Sequence, residues 1–252
     1  MKTALVTGAS RRAGIAAAVA RALAADGWRL TLTGWSPHDA REGWSSEPEE
    51  LASELDAVWH EDDLADPDAP ARIFDLAGDV GALVNVHAHS ESGGLLEATP
   101  EQLDRHFAVN ARATSLLCAE FARHFNGEHG AGRIVNFTSA PPLAGELAYA
   151  ASKGALEWVT LSAAAELAPR GITVNAVDPG PTDTGWMSRE VRERIESEMP
   201  LGRLGRPQDS AALVAFLCSS EGGWITGQVI HCDGGWSSAQ TLRFGRELQS
   251  GR

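Results

Sequence analysis

Short apolar runs alternate with stretches of helical period along this chain, and that alternation admits few folds. Ala4-Leu5-Val6 reads as a strand, followed by an alanine-rich helix from about Gly14 to Asp26. Further strands are expected at 29–33, 57–59, 82–86, 133–137 and 172–177, with a shorter last one at 228–231. Glu49 to Leu55 reads as a short helix. The stretch from Gly34 to Pro48 mixes glycine, proline, serine and charges and is expected to be a long loop. Strands that are apolar throughout and separated by helices indicate a parallel sheet covered on both faces. The expectation is an α/β fold with a doubly wound, mostly parallel sheet of seven strands. Such a sheet presents a ligand site at the carboxyl ends of its central strands.

A length of 252 residues suits one domain over 1–252, and 43% hydrophobic residues supply a sizeable core. The formal net charge of -13 disfavours nucleic acid and anionic membrane surfaces as partners. No apolar run is long enough to cross a bilayer, and Met1 to Gly8 carries no leader pattern. The cysteines, Cys118, Cys218 and Cys232, are far apart and lack metal-ligand spacing, so a reducing, cytoplasmic location is expected. The stretch 237–252 reads as a polar tail.

The first strand runs into Thr7-Gly8-Ala9-Ser10-Arg11-Arg12-Ala13-Gly14-Ile15-Ala16. A glycine-bearing strand-to-helix turn lets the backbone approach a pyrophosphate, which then sits on the helix N-terminus. Tyr149 and Lys153 stand four apart in Tyr-Ala-Ala-Ser-Lys and share one helix face. Tyr149 is the only tyrosine of the chain. A lysine cation beside a phenol favours the phenolate and suits it to acid–base work. Ser139 lies ten residues upstream at the end of the fifth strand, with Thr138 as the neighbouring hydroxyl, and Asn110 ends Phe107-Ala-Val-Asn.

In these residues, taken in order, the chain resembles the short-chain dehydrogenase/reductase family, on a Rossmann-like sheet. The family pattern Thr-Gly-x-x-x-Gly-x-Gly fits in two registers. Ungapped, Arg12 takes the middle glycine position; with two residues inserted, Gly14-Ile15-Ala16 stands for Gly-Ile-Gly, and this register is preferred. The resemblance implies hydride transfer between a nicotinamide dinucleotide and a carbonyl or secondary alcohol. Tyr149 would be the general acid or base, Ser139 would bind the carbonyl, and Lys153 would hold the nicotinamide ribose. Asn110 would support a water-mediated proton relay. The Pro141-Pro142-Leu143 loop between Ser139 and Tyr149 is shorter than the family's.

The same resemblance implies cofactor contacts from Gly8, Ser10, Gly14, Ile15 and the adenine-side pair Asp63 and Leu64. It implies others from Asn85 and from Pro179, Gly180, Thr182 and Thr184, beside Tyr149 and Lys153. Asn85-Val86-His87-Ala88 departs from the family's Asn-Asn-Ala-Gly. A substrate lid is expected at 185–200, carrying Trp186, and a homotetramer is expected through the helices at 100–125 and 149–167. The second strand ends Leu32-Thr33-Gly34-Trp35-Ser36 without the carboxylate of an NAD site. Arg11 and Arg12, with Trp35 and Ser36 beside them, point instead to NADP(H), with NAD(H) as the alternative.

Two rivals remain. One is cofactor-independent lyase or dehalogenase-like chemistry on the same fold; the other is a dinucleotide-sensing module without turnover. His87 and His89 alternate on an extended stretch without further ligands, so they read as packed or pocket-lining residues rather than a metal pair. Cys118 reads as core, and Arg189, Arg192 and Arg194 among glutamates as a solvated helix face.

Overall fold

The computed structural model describes residues 2–41, 43, 47–139 and 144–239. Strand β1 (Thr3–Thr7) is buried along its whole length, as its apolar sequence requires of a strand covered on both faces. It lies at the centre of a seven-stranded sheet of order β3-β2-β1-β4-β5-β6-β7. The other strands are β2 (Arg29–Gly34), β3 (Val58–Glu61), β4 (Ala82–Asn85), β5 (Gly132–Phe137), β6 (Ile172–Asp178) and β7 (Val229–His231). Every neighbouring pair is parallel.

From β1 the chain winds outward through β2 and β3, then crosses to β4 on the other side. The switch point therefore falls between β1 and β4, where Thr7 is in register with both Thr33 and Asn85. One face is covered by α1 (Ile15–Ala25), α3 (Pro48–Leu55) and α9 (Pro207–Cys218). The small side chains Ala16, Ala17, Ala18 and Ala20 let α1 sit close against the sheet and α9. The other face is covered by α4 (Ala69–Ala77), α6 (Ala113–His124) and α7 (Leu147–Leu167), through Phe74, Leu117, Phe121 and Ala164. Each fully buried Leu or Phe side chain there stabilises the fold by roughly 1.5–3 kcal/mol relative to exposure.

The structure departs from expectation in three places. The stretch read as a long loop holds a helix, α2 (Ser36–Arg41). Strand β3 starts at Val58 rather than Ala57, because Asp56 turns left-handed (φ 50°) to close α3 and the Ala57 N–H returns to Ala52 O. The helical stretch at 100–125 is three pieces: α5 (Pro100–His106), a π-helical turn (Phe107–Arg112) and α6. α8 (Arg189–Glu198) lies within the expected lid. Residues 140–143, with the short loop, and the tail from residue 240 lie outside the described residues. Among those described, no helix is long and apolar enough to cross a membrane.

Candidate active site

At the carboxyl edge of the sheet a cavity of ≈ 560 Å³ runs from the glycine loop to the end of β5. Its floor is backbone. Gly8 has φ 74°, and a Cβ there would lie 2.8 Å from His87 Cα, so the glycine loop packs directly on the exit of β4. The Gly14 N–H donates to Arg11 O at 3.1 Å, and Gly14 is the N-cap of α1 without any side-chain cap. Helix α1 thus begins at Ile15, as the two-residue insertion requires. The uncapped first turn faces the cavity through Ile15 and Ala16.

The two loop arginines part company. Arg11 lines the cavity and donates from Nη2 to Thr184 O at 2.8 Å. Arg12 turns outward to Glu50 (2.9 Å) and Glu54 (3.0 Å) on α3. This corrects the expectation for Arg12: a pair of carboxylates on the neighbouring helix captures its guanidinium. Ser36 is likewise outside the lining; its N–H donates to the Glu61 carboxylate.

Trp35 lines the adenosine end, flanked by the guanidinium groups of Arg41 (4.6 Å to the ring centroid) and Arg105 (5.0 Å). Arg105 pairs with Asp63 at 3.1 Å, and Leu64 is buried beside it. Sequence reasoning sought a carboxylate at the end of β2 and missed Asp39. Helix α2 carries Asp39 back to the cavity, where it is 4% exposed. Burial raises its pKa, against the opposing pull of the Ser10 hydroxyl and the Arg11 charge. Its Oδ2 has no hydrogen-bond partner among the described residues. The signal was present in Ser36-Pro37-His38-Asp39, a serine and proline ahead of an acid at a helix start.

At the other end, β5 delivers Thr138 and Ser139 opposite α7. The buried Thr138 hydroxyl donates to Lys153 O at 2.9 Å. Lys153 Nζ donates to Phe137 O (2.8 Å) and His87 O (3.3 Å), and burial lowers its pKa to about 7. Burial pushes the Tyr149 phenol up to about 12; the charge of Glu146 adds to this, and a hydrogen bond with Ser139 opposes it. Lys153 was expected to lower that pKa. Here its ammonium is held by main-chain carbonyls.

Asn110 is fully buried in the π-helical turn and does not line the cavity. Its Oδ1 accepts from His89 N (2.7 Å), and its Nδ2 donates to His89 O and Ser152 Oγ (both 2.9 Å). The Asn85 side chain also misses the cavity, because it turns into the sheet and donates to Asn136 Oδ1 at 2.9 Å. Val86 and His87 line the cavity in its place. His87 Nε2 contacts Val109 O, which can only accept, so that nitrogen carries the proton and Nδ1 accepts from Thr7 Oγ1 at 2.6 Å. Burial, with the Lys153 charge, lowers the His87 pKa to about 3 and keeps the ring neutral. His89 lines the cavity too, tilted against His106 at 4.6 Å between centroids.

Pro179, Gly180, Thr182 and Thr184 complete the wall after β6. Gly180 has φ 57°, and a Cβ there would lie 2.5 Å from Asp233 Cβ, so this turn demands glycine. The Trp186 indole donates to Thr182 O at 3.3 Å. Met187, Ile195 and Met199 pack with Leu204 and Trp236.

A glycine floor without room for side chains, an uncapped helix N-terminus and a buried carboxylate with one free oxygen fit a dinucleotide. A phenol, a hydroxyl and an ammonium share the far end. The comparisons agree. A family model described as enoyl-(acyl carrier protein) reductase matches residues 8–237. An uncharacterized oxidoreductase of Bacillus subtilis is 44% identical over 244 residues, covering 93% of this chain and 96% of that protein. A 3-oxoacyl-[acyl-carrier-protein] reductase of Aquifex aeolicus is 34% identical over 246 residues, covering 93% and 96%. The solved structure of a Burkholderia cenocepacia short chain dehydrogenase in complex with NADP superimposes with a TM-score of 0.81 at 36% identity, covering 92% of this chain and 96% of that one. The cavity and these relatives have one meaning: the chain belongs to the short-chain dehydrogenase/reductase family and is an NAD(P)-dependent oxidoreductase that transfers a hydride between a nicotinamide cofactor and its substrate.

Proposed function

We propose that Tyr149 is the general acid in carbonyl reduction and the general base in oxidation of a secondary alcohol. The observation that carries this reading is that Ser139, Tyr149 and Lys153 line the same cavity, the serine after β5 and the other two on α7. Ser139 orients the carbonyl oxygen toward the phenol, and Tyr149 delivers its proton there. The nicotinamide supplies or accepts the hydride. Lys153, held by Phe137 O and His87 O, binds the nicotinamide ribose in this reading and restores the proton of Tyr149. Asn110 acts as a positioning residue through His89 and Ser152. Tyr149→Phe keeps the ring and loses the transferable proton. It should lower kcat by on the order of 10²–10⁴-fold with cofactor affinity within a few-fold; retention of more than about a tenth of kcat would remove Tyr149 from the role.

For the cofactor, NADP(H) is favoured through Arg11, and the Burkholderia relative was solved with NADP. Asp39 favours a second reading, NAD(H), because a free carboxylate oxygen accepts ribose hydroxyls and repels a phosphate. Asp39→Asn should raise kcat/KM for NADP(H) over NAD(H), and a fall in that ratio would contradict the opposition. The chain acts as one domain over 1–252, with 185–200 as the substrate lid. The free thiols suit a cytoplasmic setting. A homotetramer is supported by Trp158 (75% exposed) and Leu161 (42%) on the outer face of α7; a monomer mass by light scattering would overturn it.

A further inference from the structure

One side chain of the substrate end has no part in the chemistry above. Glu146 lines the cavity three residues before Tyr149. It occupies the N-cap of α7 yet caps nothing: no backbone N–H of the helix reaches its carboxylate. Its main chain is fixed, because Gly93 N donates to Gly145 O (2.7 Å) and Leu147 N donates to Gly93 O (3.0 Å). The side chain is therefore held at the site by backbone pairing, while its carboxylate forms no hydrogen bond or ion pair among the described residues.

The cations of the cavity are engaged elsewhere. Lys153 is on the carbonyls of Phe137 and His87, Arg105 is on Asp63, and Arg11 is on Thr184 O. A half-buried carboxylate without a partner is costly until a cation meets it. Burial raises its pKa, and its charge is one of the causes that hold the proton on Tyr149. The half-exposed Trp186 lines the same cavity, and an indole suits a cation.

We propose that Glu146 is a specificity-determining residue that selects carbonyl or alcohol substrates bearing a fixed or protonated amine close to the reacting carbon, and disfavours those bearing a carboxylate there. A substrate cation beside Glu146 neutralises the charge that holds the phenol proton, so the same contact binds the substrate and eases proton transfer. The net charge of -13 draws cationic substrates from a distance. The inference rests on Tyr149 as the acid–base.

The test uses three ketones of one shape with the full-length enzyme and saturating reduced cofactor: 1,1-dimethyl-4-oxopiperidinium, 4,4-dimethylcyclohexanone and 4-oxocyclohexanecarboxylate. The quaternary ketone keeps its charge at every pH. The wild type should show kcat/KM for the cation at least about tenfold above the neutral isostere, with the carboxylate slowest. Glu146→Gln should collapse the cation-to-neutral ratio toward unity, and Glu146→Asp should restore part of it. A wild type that reduces the neutral or anionic ketone as fast as the cation, or none of the three, overturns the inference, as does a preference that survives Glu146→Gln. Tyr149→Phe on the same panel separates the two readings: turnover by that variant overturns the catalytic role of Tyr149. Its silence beside a flat wild-type panel overturns the substrate selection alone.

Discussion

At the Tyr149 end of the cavity, polar side chains are anchored to main-chain atoms; at the Trp35 end they are anchored to one another. Lys153 rests on two carbonyls, Asn110 holds both peptide groups of His89, and His87 donates to Val109 O. Across the cavity, Arg105 meets Asp63 and Arg41 lies over Trp35. Backbone anchors inside the fold are shielded from salt and hold their groups in one geometry. Charged pairs near the surface are screened, rearrange at little cost and contribute little each. The catalytic end should therefore respond to substitution sharply and the adenosine end by degrees.

The sharpest test of that contrast is Lys153→Ala. In the proposed mechanism one ammonium serves both the ribose and the proton supply of Tyr149. The variant should lose on the order of 10²-fold or more in kcat/KM, weaken cofactor binding and move the pH–rate profile. Normal cofactor affinity and an unmoved pH optimum would reduce Lys153 to a structural role.

Next in size is His87. Burial holds its folded pKa at about 3 against an ordinary 6.5. Between those values the unfolded chain binds the proton and the folded chain does not. Folding stability is therefore lost as pH falls from 6.5 toward 3, on the order of a few kcal/mol in total. His89, lowered to about 4, acts in the same direction. Urea unfolding across this range should give a shallower slope of stability against pH for His87→Ala, whatever the variant's absolute stability. An unchanged slope would mean that His87 is charged in the folded protein.

The two loop arginines give the smallest effects and compare a guanidinium at the cavity with one turned away from it. Arg11→Ala should lower kcat/KM for NADP(H) relative to NAD(H) by about tenfold, the loss of one charge-assisted contact, and less so at high salt. Arg12→Ala should leave that ratio in place and change stability by no more than about 0.5 kcal/mol, since its partners are exposed surface carboxylates. A cofactor ratio that follows Arg12 instead would reverse the assignment.

The two ends also differ in how legible they are in the sequence. Ser139 follows β5 directly and Tyr149 and Lys153 share one helix face, so local spacing alone brings each to the edge of the sheet. The adenosine end depends on what the second layer of structure does. Helix α2 was hidden in a stretch of mixed composition, and with it the carboxylate of Asp39. Arg12, Ser36 and Asn85 follow the right strands, yet Glu50 and Glu54, Glu61 and Asn136 claim them. No local pattern encodes such partners, because they come from elements 25 to 51 residues away.

The sequence by itself determined the α/β alternation, the parallel sheet, the glycine turn at Gly8 and the catalytic spacing. Each follows from period, burial and backbone freedom within a few residues of the chain. Only the tertiary structure decided which arginine faces the cofactor cavity, that Asp39 returns to it, that Lys153 rests on carbonyls rather than on the phenol, and that Glu146 has no hydrogen-bond or ion-pair partner among the described residues. A side chain's direction and charge state follow from what distant elements place beside it, and that exists only once the sheet and its helices have packed.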